Sequence, residues 1–319
     1  DIKGHESVKR ALMIAAAGGH NILMIGPPGS GKSMLAKALP SLLPNLNFEE
    51  SLEVTKIYSI AGQLPKEHPL ITARPFRSVH HTASAVSIIG GGAAAQPGEI
   101  TLAHRGVLFF DELPEFQRSV LESLRQPLED GIIKVHRAHA RALYPARIMF
   151  VAAMNPCPCG HAGDKEKMCI CTPAELHRYS KKLSGPILDR IDIFIRVPRL
   201  SFEKLTAQKT YESEKRFFLM KHGVDRAREV QKERFTGMQI LVNSEMRSKD
   251  TEIFCDPDEE SCRMLKEAVL MMHLSPRAYF RILKVARTIA DLAKSEKITS
   301  LHVAEALQYR QRNEGIQYS

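Results

Sequence analysis

The stretch HNILMIGPPGSGKSMLAKALPSLL, residues 20–43, restricts the fold more than any other part of the chain. Ile22 to Ile25 is a short apolar run that reads as a strand buried on both faces, the kind found in a parallel sheet. A turn rich in Gly and Pro follows, then a helical pattern with Leu35, Leu39 and Leu42 on one face. The eight residues Gly26, Pro27, Pro28, Gly29, Ser30, Gly31, Lys32 and Ser33 fit G-x-x-x-x-G-K-S in full, between strand and helix as the motif requires. The order strand, loop, helix points to an α/β fold with a parallel sheet between helices. Glycines let the loop wrap closely, so that successive N–H groups face phosphate oxygens. The helix N-terminus adds its partial positive charge. Lys32 is placed to reach the β- and γ-phosphates and Ser33 to ligate Mg²⁺, so ATP and Mg²⁺ are the expected cofactors.

Two further apolar runs deliver polar groups to the same kind of edge. GVLFFDELPEF carries Val107 to Phe110 and then Asp111 and Glu112. Acids at the carboxyl end of a buried strand sit where open α/β sheets bind ligands. Asp111 is expected to hold Mg²⁺, directly or through water, and Glu112 to polarise the attacking water. RIMFVAAMN, residues 147–155, reads as the next buried strand and brings Asn155 to that edge, where it can orient the lytic water. SGPILDRIDIFIRVP places Asp189 and Arg190 before a strand-like run from Ile191 to Val197. An Arg at a subunit edge can act in a neighbour's site, although these residues alone fit a surface ion pair equally well.

Directly after Asn155 comes a loop with four of the six cysteines of the chain, as Cys157-x-Cys159 and Cys169-x-Cys171. Four thiolates suit one tetrahedral Zn²⁺, with His161 as a substitute ligand, and Gly160, Gly163 and Asp164 suit a tight knuckle. The spacing within each pair is shorter than the usual Cys-x₂-Cys, and free thiols or labile disulfides are the alternative. No base accompanies these thiols in a nucleophilic arrangement, so their role is to brace a loop. Cys255 and Cys262 lie elsewhere and read as incidental. Six cysteines in 319 residues are too few for a disulfide scaffold, which makes a reducing cytoplasm the expected compartment. No apolar run reaches the roughly 18 residues that cross a bilayer. The first residues, DIKGHESVKR, carry neither an initiator Met nor a signal-peptide pattern and read as the start of an excised piece, with an N-terminal part expected before it.

The net charge of +9 permits a nucleic-acid partner. Between the second acidic site and Asn155, EDGIIKVHRAHARALYPARI suggests a hairpin from two strands, one over Ile132 to His136 and one from Arg147 onward. Lys134, Arg137, Arg141 and Arg147 give this stretch a local charge of +4 with no acid. Lys134, Arg137 and Arg141 are the candidate phosphate contacts, for binding that depends on salt and ignores sequence; a solvated basic turn is the alternative. SIIGGGAAAQPGEI, residues 87–100, has the small residues of a mobile loop. With no Trp and 6% aromatics, base stacking is not the expected grip. His80 and His81 could meet metal or phosphate, but adjacent histidines are expected to point apart, which favours structural or solvated roles. Residues 1–200 are assigned to the α/β core, 201–244 to a charged helical insert or linker, and 245–319 to a helical lid. Nine Lys/Arg and six Asp/Glu between Glu203 and Arg234 predict a long, mostly solvated helix. CRMLKEAVLMMHL and RAYFRILKVARTIADLAK show apolar residues at helical spacing, and Thr299 and Ser300 give a cap signal.

The stretches DIKGHESVKRALMIAAAGGHNILMIGPPGSGKSMLA, RPFRSVHHTAS, GGGAAAQPGEITLAHRGVLFFDELPEF, VAAMNPCPCG, SGPILDRIDI and LSPRAYFRILKVARTIADL resemble the AAA+ ATPases of the magnesium-chelatase-like group, specifically its ComM/YifB branch. They run across almost the whole chain, with residues 203–260 the least diagnostic. The resemblance implies an AAA+ P-loop core followed by a helical lid. It makes Gly26 to Ser33 Walker A, Asp111 and Glu112 Walker B, Asn155 sensor 1, Arg190 the arginine finger and Arg277 sensor 2. It places the hairpin before sensor 1 and the 87–100 loop in a pore, and makes the charged segment the insert that repositions the lid. It implies a hexameric ring with ATP between subunits, Arg190 reaching the neighbour's site. Relatives in this branch are DNA helicases that drive branch migration in recombination during natural transformation, and they carry a preceding domain resembling the Lon/ribosomal-S5 fold. The expected function is therefore an ATP-driven translocase or helicase on branched or single-stranded DNA, sequence-independent and without a membrane. The alternatives are the motor subunit of a metal chelatase and a protein-remodelling motor. A chelatase motor need not grip a polyanion, and a remodelling motor would use pore aromatics, of which the hairpin has only Tyr144.

Overall fold

The computed structural model describes residues 5–65, 67, 69–91, 95–136, 141–164, 166–199 and 211–311. Its centre is a five-stranded parallel sheet: β1 (Ile22–Ile25), β2 (Phe76–Val79), β5 (Val107–Phe110), β8 (Met149–Met154) and β9 (Ile193–Arg196), in the order β2-β5-β8-β1-β9. Two antiparallel pairs lie outside it, β3 (Gly90–Gly91) with β4 (Gln96–Pro97) and β6 (Ile132–His136) with β7 (Arg141–Pro145). β1, β5 and β8 are buried at every position, which is why their sequences are continuous apolar runs.

Alternate side chains of these strands serve two cores. Met24, Phe109, Val151 and Ile195 face one layer, with Val8, Leu12 and Leu35 from the helices Glu6–Gly18 and Lys32–Ala38. Leu23, Phe110, Phe150 and Phe194 face the other, with Val120, Leu124, Tyr179 and Ile187. Phe110 stacks on Phe116 at 4.4 Å between ring centroids and meets Phe150 edge to face at 5.4 Å. The chain is thus an α/β fold with its sheet between helices, followed by a helical C-terminal region. That region contains Ser248–Phe254, Glu259–Met271, Pro276–Leu292 and Ser300–Gln311. Among the described residues no helix is long and apolar enough to cross a membrane.

Three sequence expectations need correction. The hairpin is formed by β6 and β7, with Ile133 opposite Tyr144, and the strand after Arg147 is instead the central strand β8. Its fully apolar sequence selects the buried sheet, whereas β6 and β7 alternate buried Ile133 and Val135 with exposed Lys134 and Leu143. Second, the described helix of the charged segment, Tyr211–Arg234, is not mostly solvated from end to end. Its second half buries Val224, Ala227 and Gln231 against Glu6–Gly18, and Arg228 donates to the Ala16 carbonyl at 2.7 Å. Charge counting missed this because one narrow stripe of small and amide side chains suffices for close helix packing. Third, the 87–100 segment is not an open loop: Ile88 and Ile100 are buried, and β3 and β4 form a short ribbon; residues 92–94 lie outside the described ones.

A polar network joins the charged helix to the C-terminal region. Asp291, nearly fully buried, accepts from Arg234 at 2.9 Å, Arg287 at 3.0 Å and Asn243 at 2.8 Å. Asn243 also donates to Thr288 at 3.0 Å, and Thr288 meets His20 at 2.7 Å. The segments assigned to linker and lid therefore share one polar network, anchored through Thr288 to His20, two residues before β1. Replacing Asp291 by Ala strands two guanidinium groups in that network. Urea unfolding is expected to show a loss of about 3–5 kcal/mol; a loss under about 1 kcal/mol would mark the network as no stronger than a surface ion pair.

Candidate nucleotide site

Parallel register brings Lys32, Ser33, Asp111, Glu112 and Asn155 together. Ile25 of β1 lies level with Met154 of β8, and Phe110 of β5 with Ala152 of β8. The Gly26 N–H donates to the Met154 carbonyl at 3.2 Å, so the phosphate loop begins beside Asn155. Gly29 and Gly31 have φ of 75° and 87°, a left-handed conformation that side-chain-bearing residues avoid, and Gly31 caps the helix Lys32–Ala38.

Lys32 is buried and its Nζ donates to the carbonyls of Gly26 at 2.7 Å and Pro27 at 2.9 Å and to Asn155 Oδ1 at 3.3 Å. Burial lowers the pKa of this ammonium, while the charges of Asp111 and Glu112 work against the shift. Ser33 Oγ donates to Asp111 Oδ2 at 2.6 Å, so the hydroxyl and carboxylate expected on one Mg²⁺ are within ligand distance of each other. Asp111 also accepts from the Glu112 N–H at 3.0 Å. Glu112 has φ 53°, in the left-handed region that glutamate rarely adopts, and this turn leaves its carboxylate half exposed. Lys32, Ser33, Asp111, Glu112 and Asn155 thus lie at one edge, at the carboxyl ends of three neighbouring strands.

His81 also belongs to this edge, which its sequence pattern alone does not show. It follows β2, next to β5, and its Nδ1 is 3.4 Å from Glu112 Oε2. The two histidines do not point apart, as adjacency alone suggests: their rings lie 4.2 Å apart, and the exposed His80 meets Thr82 at 2.9 Å. The signal in the sequence was the position of HisHis immediately after an apolar-edged strand, the same place that Asp111 holds after β5.

Arg190 and Arg277 lie at the opposite end of the sheet. Arg190 is buried; it donates to the carbonyls of Arg125 at 3.1 Å and Pro186 at 2.7 Å and pairs with Glu129. Arg277, exposed at the start of Pro276–Leu292, donates to the same Glu129 at 3.1 Å. Both line a cleft of about 970 Å³ with residues at the amino ends of the strands, among them Asn21, Gly106 and Met149. Asn21 fixes this end: its N–H donates to Asp192, its side chain donates to the Arg190 carbonyl, and it accepts from the Phe150 N–H, each at 2.9 Å. Burial raises the pKa of the Asp192 carboxyl, but Arg281 and His20 outweigh it and hold the group below the usual carboxylate range. Within one chain, then, the two arginines do not meet the phosphate loop.

Of the candidate phosphate contacts, Lys134 is exposed on β6. Arg137 and the side chain of Arg141 lie outside the described residues. Arg147 is not part of the hairpin face: it donates to the Gln239 carbonyl at 2.7 Å and lies 3.6 Å from Glu245.

Cys157, Cys159, Cys169 and Cys171 converge, with all four sulfur atoms within 4.8 Å of one another. His161 is not among them and faces Asp164 at 3.4 Å.

The family described as magnesium chelatase, subunit ChlI, matches residues 1–205, and its C-terminal part matches residues 218–310. The chain belongs to the magnesium chelatase subunit ChlI family. It is 46% identical over 97% of its length to the protein YifB of Escherichia coli, covering 60% of that relative. It is likewise 46% identical over 97% of its length to the competence protein ComM of Haemophilus influenzae, covering 59% of it. The 38 kDa magnesium-chelatase subunit of Rhodobacter capsulatus is 26% identical over 68% of the chain and 62% of that subunit. The chain spans about three fifths of the length of these curated relatives. The family is one of chelatase-type ATPases, and the grouping of Lys32, Ser33, Asp111 and Asn155 at one edge suits the phosphates and Mg²⁺ that such a family handles. The contact between His81 and Glu112 gives a test within this site. His81→Ala is expected to slow steady-state ATP hydrolysis about 10- to 100-fold while nucleotide affinity stays within about twofold. An unchanged kcat would remove His81 from the site.

Proposed function

We propose that the chain is the motor of an ATP-driven DNA translocase or helicase that works on branched DNA in recombination during natural transformation. The observation that carries the motor is the meeting of Lys32, Ser33, Asp111 and Asn155 on one strand edge, with Ser33 and Asp111 2.6 Å apart. Ser33 and Asp111 would hold Mg²⁺, Lys32 the β- and γ-phosphates, and Asn155 and Glu112 the lytic water. Bound Mg²⁺ supplies charge neutralisation on the phosphates. Arg190 and Arg277, at the far end of the sheet, would complete the site of a neighbouring copy, which calls for a ring; a hexamer is the proposed state.

DNA as the partner is supported by the 46% identity to a protein named for competence and by Lys134 on the hairpin ahead of β8. Basic side chains there would hold phosphates of any sequence, as a translocase needs. Zn²⁺ on the four thiols completes the proposed cofactor set. The similarity to a magnesium-chelatase subunit favours a second reading, a motor that drives metal insertion with partner subunits.

ATP hydrolysis with and without forked or four-way DNA, at two salt concentrations, separates the two. A translocase gripping phosphates is expected to be stimulated by DNA, to lose that stimulation at higher salt, and to lose all hydrolysis in Glu112→Gln. Hydrolysis indifferent to DNA in protein shown to form rings would overturn the DNA reading and leave the chelatase one.

A further inference from the structure

The four cysteines sit against the phosphate loop, and the contact is close. Cys157 follows Asn155 by two residues and is fully buried. Gly160, in the turn closed by its N–H on the Cys157 carbonyl at 3.0 Å, has φ 83° and packs on Pro28. A Cβ on Gly160 would lie 2.6 Å from Pro28 Cδ, so there is no room between knuckle and loop. On the far flank, Arg199 bridges the same two parts. It donates to the Pro28 carbonyl at 3.5 Å and to Glu166 at 3.3 Å, and lies 3.9 Å from Asp164. Past Cys171, Thr172 caps the helix Pro173–Ser180, whose Tyr179 hydroxyl donates to the Asn155 carbonyl at 3.1 Å. Segment 157–171 is therefore tied near its start to Pro28 through Gly160, and the helix that follows it is tied to Asn155 through Tyr179.

The cluster fits Zn²⁺. Sulfur separations are 3.4 Å for Cys157 to Cys159, 3.7 Å for Cys157 to Cys169 and 3.6 Å for Cys159 to Cys169. Tetrahedral sulfurs about 2.3 Å from zinc stand about 3.8 Å apart. None of the six cysteines is in a disulfide. Backbone N–H groups already point at two of the sulfurs, Ala162 at Cys157 at 3.2 Å and Cys159 at Cys171 at 3.4 Å, as thiolates bearing charge require. Four clustered thiols hold such a loop weakly by themselves, whereas metal binding to a preformed set is folding free energy for the segment that supplies it.

We propose that this knuckle, with zinc bound, is the back wall of the phosphate loop, so that metal occupancy sets nucleotide affinity. The proposal rests on the reading of the four thiols as a zinc site. Zinc fixes segment 157–171, Gly160 then blocks outward movement of Pro28, and the loop stays wrapped for phosphate without further ordering on binding. Removing the metal frees the wall and the loop together, and it loosens Asn155, the partner of Lys32.

The test measures zinc content and binding of a fluorescent ADP analogue without Mg²⁺, before and after treatment with a chelator that takes zinc. One zinc per chain is expected; stripping should weaken ADP binding about tenfold, and added Zn²⁺ should restore it. Co²⁺ in place of Zn²⁺ should give the thiolate charge-transfer and tetrahedral ligand-field bands, and these should vanish in a Cys157→Ser, Cys169→Ser double variant. Zinc-free protein that binds ADP as tightly as the loaded protein would overturn the coupling. Absence of zinc, with no cobalt spectrum, would overturn the metal site itself. Gly160→Ala guards against simple unfolding of the stripped chain, because it keeps every cysteine. It should retain zinc yet bind ADP several-fold more weakly, and unchanged ADP affinity in that variant would sink the wall.

Discussion

Hydrogen bonding between β5, β8 and β1 in parallel register is the constraint on which the rest depends. It sets Ile25 level with Met154 and Phe110 level with Ala152, so the residues that follow the three strands emerge at one edge of the sheet. From the phosphate loop, Ser33 then reaches Asp111 and Lys32 reaches Asn155. A slip of one residue in β8 would exchange its two core faces and carry Asn155 away from Lys32. Because β8 is buried on both faces at every position, that slip is strongly disfavoured. The chemistry is positioned by the core.

The other end of the sheet is organised by different residues for a different purpose. Asn21 ties the starts of β1, β8 and β9 together, and Arg281 and Arg310 hold the turn around Arg190 from the C-terminal helices. Arg281 pairs with buried Asp192, and Arg310 donates to the Ile191 carbonyl at 2.5 Å. The helical region thus presents Arg277 next to Arg190 on a shared Glu129, not over the phosphate loop of its own chain. Two guanidinium groups sharing one carboxylate keep a net positive charge at the outer end of the sheet. A negatively charged nucleotide edge on a second copy would complement that charge, as the proposed ring requires.

Features set by local pattern were legible in the sequence. The phosphate loop, the acidic pair after Phe110 and the asparagine after Met154 each follow an apolar run too short and too continuous to be anything but a buried strand. The four-thiol cluster was legible as a set, although its unusual pair spacing hid the geometry. What was not legible depends on residues far apart in the chain. Val224, Ala227 and Gln231 look like three unremarkable positions in a charged helix until Glu6–Gly18 is laid against them. Glu129 gains meaning only when Arg190 and Arg277 arrive from 61 and 148 residues away. His81 needed the strand order, which sets β2 beside β5, to be seen as a partner of Glu112. The basic stretch before β8 could not be parsed from charge alone, because Arg147 belongs to the core of another contact.

The central claim is that each nucleotide site is completed by the next copy of the chain. The most direct measurement mixes two variants that are inactive on their own, Glu112→Gln and Arg190→Ala, after each is shown to be folded, and follows ATP hydrolysis as assemblies form. In a mixed ring, an Arg190→Ala subunit keeps its own Glu112 and can receive an intact Arg190 from a Glu112→Gln neighbour. Recovery of hydrolysis on mixing, absent from either variant alone, is the predicted result. Mixed assemblies that remain as inactive as the separate variants would contradict a site shared between subunits.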